Sequence, residues 1–345
     1  MKAIDIVYLW VDGSDKTWLA KRNAALAAVG RPVPAYACGD SRFADHGELR
    51  YSLRSLARFA PWINHIYIVT DGQRPAWLAD SPRVTIVDHR DIVPGKYLPL
   101  FNSAAIELFV HHVPGLSEHY LFANDDMFFG TPVSPDFFFD SNGNPIVIVQ
   151  EKYLGSLWRD NYKTYLAKKG MFFNMVKNGN RIVFERFGLK YNVTMTHAIE
   201  PMRKSYCANN VEELADQLMT STTTPFRDSK NINRLIFPLM DNAKGRNSLV
   251  LEWGVGTKRL TYDVESDSLR KELWRTAVWT AVSVLGMKRQ DSCEQGSKLV
   301  LWWMTPKLFC IGDRKPDTPL FLKSLALMQR MFPDRATWEK AEQEG

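Results

Sequence analysis

The sequence predicts an α/β fold, in which a mostly parallel sheet lies between two layers of helices. Three apolar runs of strand length, at residues 4–11, 66–70 and 84–88, alternate with segments of helical composition. Strands joined through helices form parallel sheets, because each helix carries the chain back to the end of the sheet at which the previous strand began. Each run is also followed by polar residues. Ligands of open α/β sheets bind at the carboxyl ends of the strands, so these residues predict a binding site there.

The first run ends at the turn Asp12-Gly13-Ser14-Asp15, and residues 16–29 after it have helical composition. A strand, a glycine turn and a helix in this order favour a nucleotide site, because backbone N–H groups point outward at the junction. The simpler interpretation is a turn in which Ser14 or Asp15 caps the helix. The pattern alone leaves both interpretations open.

The helical segment 48–59 has an apolar face and a second face that carries Arg50, Arg54 and Arg58. Such an arginine stripe is usually solvated, but it can also aim one guanidinium, here Arg54, at a phosphate. Another short helix, at residues 104–112, follows Asn102 and Ser103, and either residue is a suitable cap.

The stretch 119–130, HYLFANDDMFFG, carries the strongest local signal. Large apolar residues on both sides of Asn124, Asp125 and Asp126 predict a buried strand that ends where the carboxylates begin. Adjacent like charges beside a core are unfavourable unless a cation or hydrogen-bond donors neutralise them. The pair therefore indicates a ligand site, and the alternative is a turn in which these side chains only satisfy backbone N–H groups.

The composition is that of a globular enzyme, since 345 residues with 45% hydrophobic and 24% charged residues allow a large core and about two domains. A net charge of +6 suits anionic ligands such as phosphates, and no dense basic run with aromatics points to nucleic acid. The cysteines are scattered, without a histidine at ligand spacing, so we expect reduced thiols and no zinc site. We also expect a soluble cytoplasmic protein, because the N-terminus is no signal peptide and no apolar run could span a bilayer.

Changes in composition along the chain predict three parts. Residues 1–150 contain the strand-like runs and are predicted to form the α/β core. Residues 151–224 mix aromatics, lysines and asparagines with helical stretches such as 158–169, which predicts a mostly helical insertion or lid. Residues 225–345 follow a Ser/Thr linker and are predicted to complete the core, with a strand at 307–313 and helices such as 273–285.

Several of these stretches resemble the conserved blocks of Stealth proteins. Residues 4–15, 48–73, 98–107 and 115–126 are similar to the first two blocks. His197 with residues 201–205, then 226–233 and 307–313, looks like the third and fourth. The family includes bacterial capsular and exopolysaccharide phosphotransferases and the catalytic part of the animal GlcNAc-1-phosphotransferase.

The resemblance implies a glycosyltransferase-A-like, Rossmann-like core and the transfer of a sugar 1-phosphate from a nucleotide sugar to a hydroxyl. It implies catalytic roles for Asp15, Asp125, Asp126, His197 and Arg227. Asp12 stands where the animal enzymes carry Asn, so its role is left open. Residues 1–150 would then bind the nucleotide sugar.

Phosphoryl transfer of this kind needs acids for a metal, cations for the phosphate oxygens and a base. Asp125 and Asp126 are predicted to hold Mg²⁺ or Mn²⁺, because carboxylate and phosphate oxygens are the ligands that Mg²⁺ prefers. His197 would deprotonate the acceptor, and Arg227 would stabilise charge on the phosphoryl group, although alone such residues are more often structural. The residues predicted to bind substrate are Asp12, Gly13, Arg54, Asn102, Ser103, Asn124, Arg203 and Lys204.

The predicted donor is UDP-GlcNAc or a similar UDP-sugar, the acceptor is a polysaccharide or other glycan, and UMP leaves. A metal-dependent glycosyltransferase that attacks C1 and releases UDP would use the same pocket, and the residue pattern does not decide between them. A binding module without turnover would lack one of the acids, His197 or Arg227, and a membrane scaffold would need a long basic amphipathic helix. Peripheral association with membrane-bound synthesis or export machinery, at the inner face of the plasma membrane, is a further expectation.

Overall fold

The computed structural model describes residues 2–151, 171–251, 261–263, 307–311, 326 and 328–341. The predicted helices at 158–169 and 273–285, and Cys293, lie outside these residues. Within the described ranges, no helix combines the length and the apolar character needed to cross a bilayer.

The secondary structure follows much of the predicted pattern. The strands are β1 (Ile4–Leu9), β2 (Ile66–Thr70), β3 (Val84–Asp88), β4 (His119–Asn124), β5 (Met127–Phe129), β6 (Ile146–Glu151), β7 (Val193–Met195), β8 (Glu200–Arg203), β9 (Ser248–Leu251), β10 (Thr261–Asp263) and β11 (Leu308–Cys310). The α-helices are α1 (Lys16–Ala28), α2 (Ala35–Cys38), α3 (Glu48–Phe59), α4 (His89–Ile92), α5 (Ser103–Ile106), α6 (Met171–Phe187), α7 (Lys204–Glu213), α8 (Ala215–Leu218) and α9 (Ile236–Ala243). Short 3₁₀ helices lie at Asp40–Arg42, Gly95–Tyr97, Glu107–His112, Pro135–Phe137 and Met219–Ser221.

The main sheet has the strand order β3-β2-β1-β4-β8. The first four strands are parallel, with Ile6 opposite Ile66 and Leu9 opposite Asn124, and β8 is antiparallel to β4. The carboxyl ends of β1 to β4 therefore meet at one edge of the sheet, as the polar residues after the strands predicted.

Alternate residues of β1 face two separate cores, as a sheet between two layers requires. Ile6 and Tyr8 pack with Leu53 of α3 on one face. Val7 packs on the other face with Phe109 of the 3₁₀ helix Glu107–His112. Because both faces are covered, the strands are apolar along their whole length rather than alternating. The predicted three-layer α/β fold is confirmed.

Strand β5 turns away from the main sheet and pairs antiparallel with β11, in register Met127 to Cys310. The rings of Phe128 and Phe309 stack with centroids 4.9 Å apart and planes 10° apart. The N–H of Ile311 donates to the carbonyl of Asp126 at 3.0 Å. This pairing brings a distant segment directly against the end of β4.

The segment predicted as a helical insertion, 151–224, also supplies strands. Among its described residues, β7 pairs with β6, and β8 adds an edge strand to the main sheet. The sequence of β8, with Pro201 between polar ends, does not read as a strand, because proline cannot donate to a ladder and is tolerated only at edges. Its edge position removes that conflict. The division into three domains stays a prediction.

Candidate active site

A cavity of about 560 Å³ opens where the parallel strands end. Its floor contains Leu9 to Val11 at the end of β1, Val69 and Asp71 at the end of β2, His89 after β3, and the acids after β4. Six of the predicted residues line it, namely Ser103, Asn124, Asp125, Asp126, His197 and Arg227. These six residues come from four separate parts of the chain and converge at the edge that the strand pattern predicted.

The acid pair lies in the turn between β4 and β5. Burial, together with the neighbouring carboxylates of Asp126, Glu48 and Asp45, raises the pKa of Asp125 well above its ordinary value. Burial likewise raises the pKa of Glu48 to about 7. The raised pKa values of Asp125 and Glu48 indicate that too little positive charge lies nearby to stabilise both carboxylates in their ionised form.

Asp126 has a carboxylate oxygen that could bind a cation. Its Oδ1 is buried and has no hydrogen-bond partner in the part of the chain that the structure describes. An unsatisfied carboxylate oxygen inside a protein is unfavourable unless a cation or donor completes it. Asp125 and Asp126 therefore fit a hard divalent cation such as Mg²⁺ or Mn²⁺, which binds oxygen ligands.

His197 lies beside Asp126 and is more than one-third exposed to the cavity, with 39% of its side chain accessible. Its Nε2 is 4.0 Å from Oδ1 of Asp126 and 3.4 Å from Nδ2 of Asn124. Its Nδ1 is 3.1 Å from the sulfur of Cys310, whose thiol donates to Oδ2 of Asp126 at 3.3 Å. If that thiol proton points to Asp126, Nδ1–H donates to the sulfur, and the Nε2 lone pair is available to a substrate.

Cys310 was missed by the sequence analysis, which expected scattered thiols and no zinc site. The run 307–313 predicted only a strand ending in an acid, and nothing local placed its cysteine near a histidine. The contact arises because β11 pairs with β5, which brings Cys310 to His197 across 113 residues and to Asp126 across 184 residues. Spacing along the sequence cannot reveal a cluster formed in this way.

Arg227 and Arg42 also line the cavity. Burial and the nearby charge of Arg42 lower the pKa of Arg227 to about 10, and burial lowers the pKa of Arg42. Arg227 contacts the Ser103 hydroxyl. Among the described residues, neither arginine forms an ion pair with a carboxylate, so the pair is suited to an anion with more than one negative charge.

Asp71 and His89 form a further polar wall that the sequence analysis did not select. Lys21 pairs with Asp71 at 2.5 Å. Burial lowers the pKa of His89 to about 4, despite the opposing effect of Asp71 and Asp88, so the imidazole is neutral near pH 7. Aromatic residues complete the wall, with Trp18 and Phe43 at 4.9 Å between ring centroids.

The first glycine turn does not line the cavity. Asp15 is the N-cap of α1 and accepts from the Trp18 N–H at 2.7 Å, and Asp12 accepts from the Ser14 N–H at 2.8 Å. These are the contacts of the simpler interpretation, a capped turn. Gly13 is needed for close approach, since a Cβ there would lie 2.3 Å from the Phe43 carbonyl oxygen.

Four other predicted residues also lie outside the cavity lining. Arg54 is buried and binds Glu339 through two hydrogen bonds of 2.7 and 2.8 Å. Asn102 donates to the Ser221 carbonyl at 3.1 Å. Arg203 and Lys204 lie at the amino end of β4, where Arg203 is opposite His119 and binds Glu118 at 3.0 Å. Arg203 is the last residue of β8 and Lys204 follows it, whereas His197 precedes the strand, so these two cations lie at the opposite end of β8 from His197.

Two regions of the chain match conserved regions of one protein family. Residues 2–30 match the Stealth protein conserved region 1, and residues 42–147 match conserved region 2. The chain belongs to the Stealth family. The two regions carry β1 to β4 and both acids, so the resemblance of the first two blocks is confirmed.

Curated Stealth relatives are similar over much of the chain. The capsular polysaccharide phosphotransferase LcbA of Neisseria meningitidis is 34% identical over 68% of this chain and 63% of its own length. The exopolysaccharide phosphotransferase CpsY of Mycobacterium tuberculosis is 38% identical over 98% of this chain and 58% of its own length. This Stealth chain thus spans less than two thirds of these relatives.

Two solved structures match the chain at a low level of similarity. The galactosyltransferase LgtC, in complex with donor and acceptor sugar analogs, has 10% identity and a TM-score of 0.44 over 98% of both chains. The glycosyltransferase GlyE of Streptococcus pneumoniae has 10% identity and a TM-score of 0.37 over 100% of this chain and 66% of its own.

Proposed function

We propose that this Stealth protein transfers a hexose or N-acetylhexosamine 1-phosphate from a nucleotide sugar to a hydroxyl of a glycan, in capsular or exopolysaccharide synthesis. UDP-GlcNAc or a similar UDP-sugar would be the donor, and UMP would leave. The observation that carries this proposal is the arrangement of one cavity. It is lined by carboxylates, by two arginines without a carboxylate partner among the described residues, and by an accessible histidine beside the acids.

The arginines would bind the donor diphosphate. Arg227 and Arg42 are partly removed from water and repel each other, and both effects are relieved when phosphate oxygens come between them. Guanidinium groups offer paired N–H donors that match two phosphate oxygens. Negative charge moves onto the departing phosphate during transfer, so an arginine there stabilises the transition state more than the bound substrate.

Asp125 and Asp126 would hold the divalent cation. When bound, Mg²⁺ or Mn²⁺ would neutralise charge on the diphosphate oxygens. The buried, unpartnered Oδ1 of Asp126 and the raised pKa of Asp125 support this assignment. Asn124 at the end of β4 would add an amide that hydrogen-bonds the donor sugar or His197.

His197 would act as the general base through Nε2. The acceptor oxygen forms a bond to the phosphorus that carries the sugar, and its proton moves to Nε2. The bond from that phosphorus to the bridging oxygen breaks, and UMP leaves with that oxygen. Cys310 supports the required tautomer, because its sulfur can accept Nδ1–H while its thiol donates to Asp126.

The decisive experiment is mass spectrometry of the nucleotide products after incubation of the full chain with a panel of nucleotide sugars and a glycan acceptor. We expect acceptor-dependent release of UMP from one UDP-sugar, together with a sugar-phosphate added to the acceptor. Release of UDP with addition of the sugar alone would instead establish the glycosyltransferase reaction. The Asp126→Asn variant is the matched control and should give neither product.

A further inference from the structure

Three potential metal ligands of different chemical type meet on the cavity wall. One ligand atom each from Asp126, His197 and Cys310 lies within 4.8 Å of the other two. The sulfur of Cys310 is 3.3 Å from Oδ2 of Asp126 and 3.1 Å from Nδ1 of His197. The edges of a tetrahedral zinc site with ordinary bond lengths are roughly 3.3–3.7 Å. A single ion therefore needs only small side-chain movements to bind all three atoms.

The donor set determines which cations fit this cluster. Mg²⁺ prefers six oxygen ligands and gains little from a thiolate or an imidazole. Zn²⁺ and other thiophilic cations bind thiolate, imidazole and carboxylate together, commonly with three protein ligands and a fourth open position. Here the fourth position would face the cavity, where His197 and Asp126 are accessible and Cys310 is buried behind them.

The cluster is also held on rigid structure. The pairing of β5 with β11 fixes Cys310 opposite Met127, directly after Asp126. The Ile311 N–H also donates to the Asp126 carbonyl at 3.0 Å. The buried Oδ1 of Asp126 also lacks a hydrogen-bond partner in the described residues, so this oxygen is available to a cation. Ligands placed by a strand pair need little reorganisation to bind a metal.

We propose that Asp126, His197 and Cys310 form an inhibitory site for Zn²⁺ and similar thiophilic divalent cations. On binding, the Cys310 thiol releases its proton to solvent, and the thiolate, an imidazole nitrogen and a carboxylate oxygen become ligands. The inhibitory effect rests on the proposed function. The ion withdraws Asp126 from the catalytic cation and fixes His197, which can then no longer accept the proton of an acceptor hydroxyl.

Cobalt(II) titration tests the site without any assay of activity. Co²⁺ bound by a thiolate shows a near-ultraviolet charge-transfer band, and tetrahedral Co²⁺ shows visible bands. We expect both in the full-length wild-type chain, and we expect added Zn²⁺ to remove them. Cys310→Ser should lose the charge-transfer band, while Cys38→Ser, which alters a thiol at the end of α2 that is not one of the three clustered ligands, should keep it.

A wild-type chain without these bands, or a folded Cys310→Ser variant that keeps the charge-transfer band, overturns the site. His197→Gln gives a second test if Cys310→Ser does not fold, because it should lose the visible bands and keep the thiol. Retention of the visible bands in His197→Gln also contradicts the proposal.

Inhibition is measured separately, as UMP release in the presence of Mg²⁺ and increasing Zn²⁺. Added Mg²⁺ should relieve the inhibition, and Cys310→Ser should raise the Zn²⁺ concentration for half-inhibition by at least about tenfold, as expected for loss of a ligand. Equal Zn²⁺ sensitivity in both proteins refutes the inhibitory role. Absence of sugar-phosphate transfer with intact cobalt bands would instead refute the proposed function and leave the metal site established.

Discussion

Arg234 and Arg227 lie close together in sequence, but their surroundings differ. Arg234 is buried and forms ion pairs with Glu107 at 2.9 Å and Glu200 at 3.0 Å, with its guanidinium 4.0 Å from the ring centre of Phe122. Burial acts to lower its pKa, but Glu200 and Glu107 outweigh this effect and raise it. Arg227 has no carboxylate partner among the described residues, and burial and Arg42 lower its pKa to about 10.

The difference separates a charge that is neutralised inside the fold from a charge that has no carboxylate partner nearby. An ion pair within a core is already neutralised and binds an outside ion weakly, and removing one of its partners leaves the other charge buried without compensation. A charge held partly out of water without a partner gains most when an ion of opposite sign arrives. The same contrast applies to carboxylates. The Arg234 guanidinium binds Glu200 at 3.0 Å, whereas Asp126 contacts the thiol of Cys310 and lies 4.0 Å from the His197 imidazole.

The largest effect should come from removing the divalent cation proposed to bind Asp125 and Asp126. Excess chelator should abolish transfer, and Mg²⁺ or Mn²⁺ should restore it, because without a cation the carboxylates repel the diphosphate. Asp126→Asn should also abolish transfer while circular dichroism shows an unchanged fold. Full turnover in excess chelator would show that these acids bind something other than a metal.

Replacement of His197 by Ala should lower kcat by about 10²–10⁴-fold, the usual contribution of a positioned base. The loss should appear in single-turnover experiments with saturating donor and acceptor, since a base acts in the chemical step. His65→Ala is the control, because His65 lies at the amino end of β2, bound to Thr85 at 2.8 Å. His89 is unsuitable for this purpose, since it lines the cavity. If His197→Ala keeps the wild-type single-turnover rate, the base is another residue.

Substituting each of the two arginines separately tests the comparison directly. Arg227→Lys keeps the charge but loses the paired donors, so kcat should fall about 10²–10³-fold with unchanged stability. Arg234→Met should instead lower the free energy of unfolding by about 3–5 kcal/mol, because Glu107 and Glu200 remain buried without their partner. Urea unfolding and steady-state kinetics on both variants measure the two effects. A stability loss in Arg227→Lys, or a rise only in acceptor KM, contradicts the role given to Arg227.

A smaller effect is expected at Asp241, a buried acid with a neutral partner. Burial raises its pKa to about 6, and Asn210 donates to it at 3.0 Å. A raised carboxyl pKa gives stability at low pH that is lost as pH rises from about 4 to about 6. Asp241→Asn should remove this loss, so relative to wild type it should gain on the order of 2 kcal/mol between pH 4 and 7. Urea unfolding at both pH values measures it, and a pH-independent difference would contradict the prediction.

Local patterns predicted the sheet because burial on both faces leaves a direct trace in the sequence. The apolar run before Asn124 predicted β4, and the two acids after it line the cavity at the end of that strand. Contacts between distant segments leave no such trace. Arg54 was predicted to bind phosphate, but its partner Glu339 is 285 residues away.

Proximity in sequence was also misleading within the third block. Arg203 and Lys204 follow His197 closely in sequence, and all three were predicted to belong to one substrate site. Strand β8 ends at Arg203, and an extended chain advances about 3.3 Å per residue, so Arg203 and Lys204 lie at the amino end of β4. The direction of an edge strand broken by Pro201 could not be predicted from its residues.

The pairing of β5 with β11 has a consequence for how the protein is made. The acids at 125 and 126 leave the ribosome early, but the partner of β5 follows only with Leu308–Cys310. Until then the turn that carries both acids lacks the strand that fixes it, and His197 lacks its sulfur neighbour. A nascent chain can therefore complete its main sheet, including β8, long before β11 fixes the turn that carries the two acids.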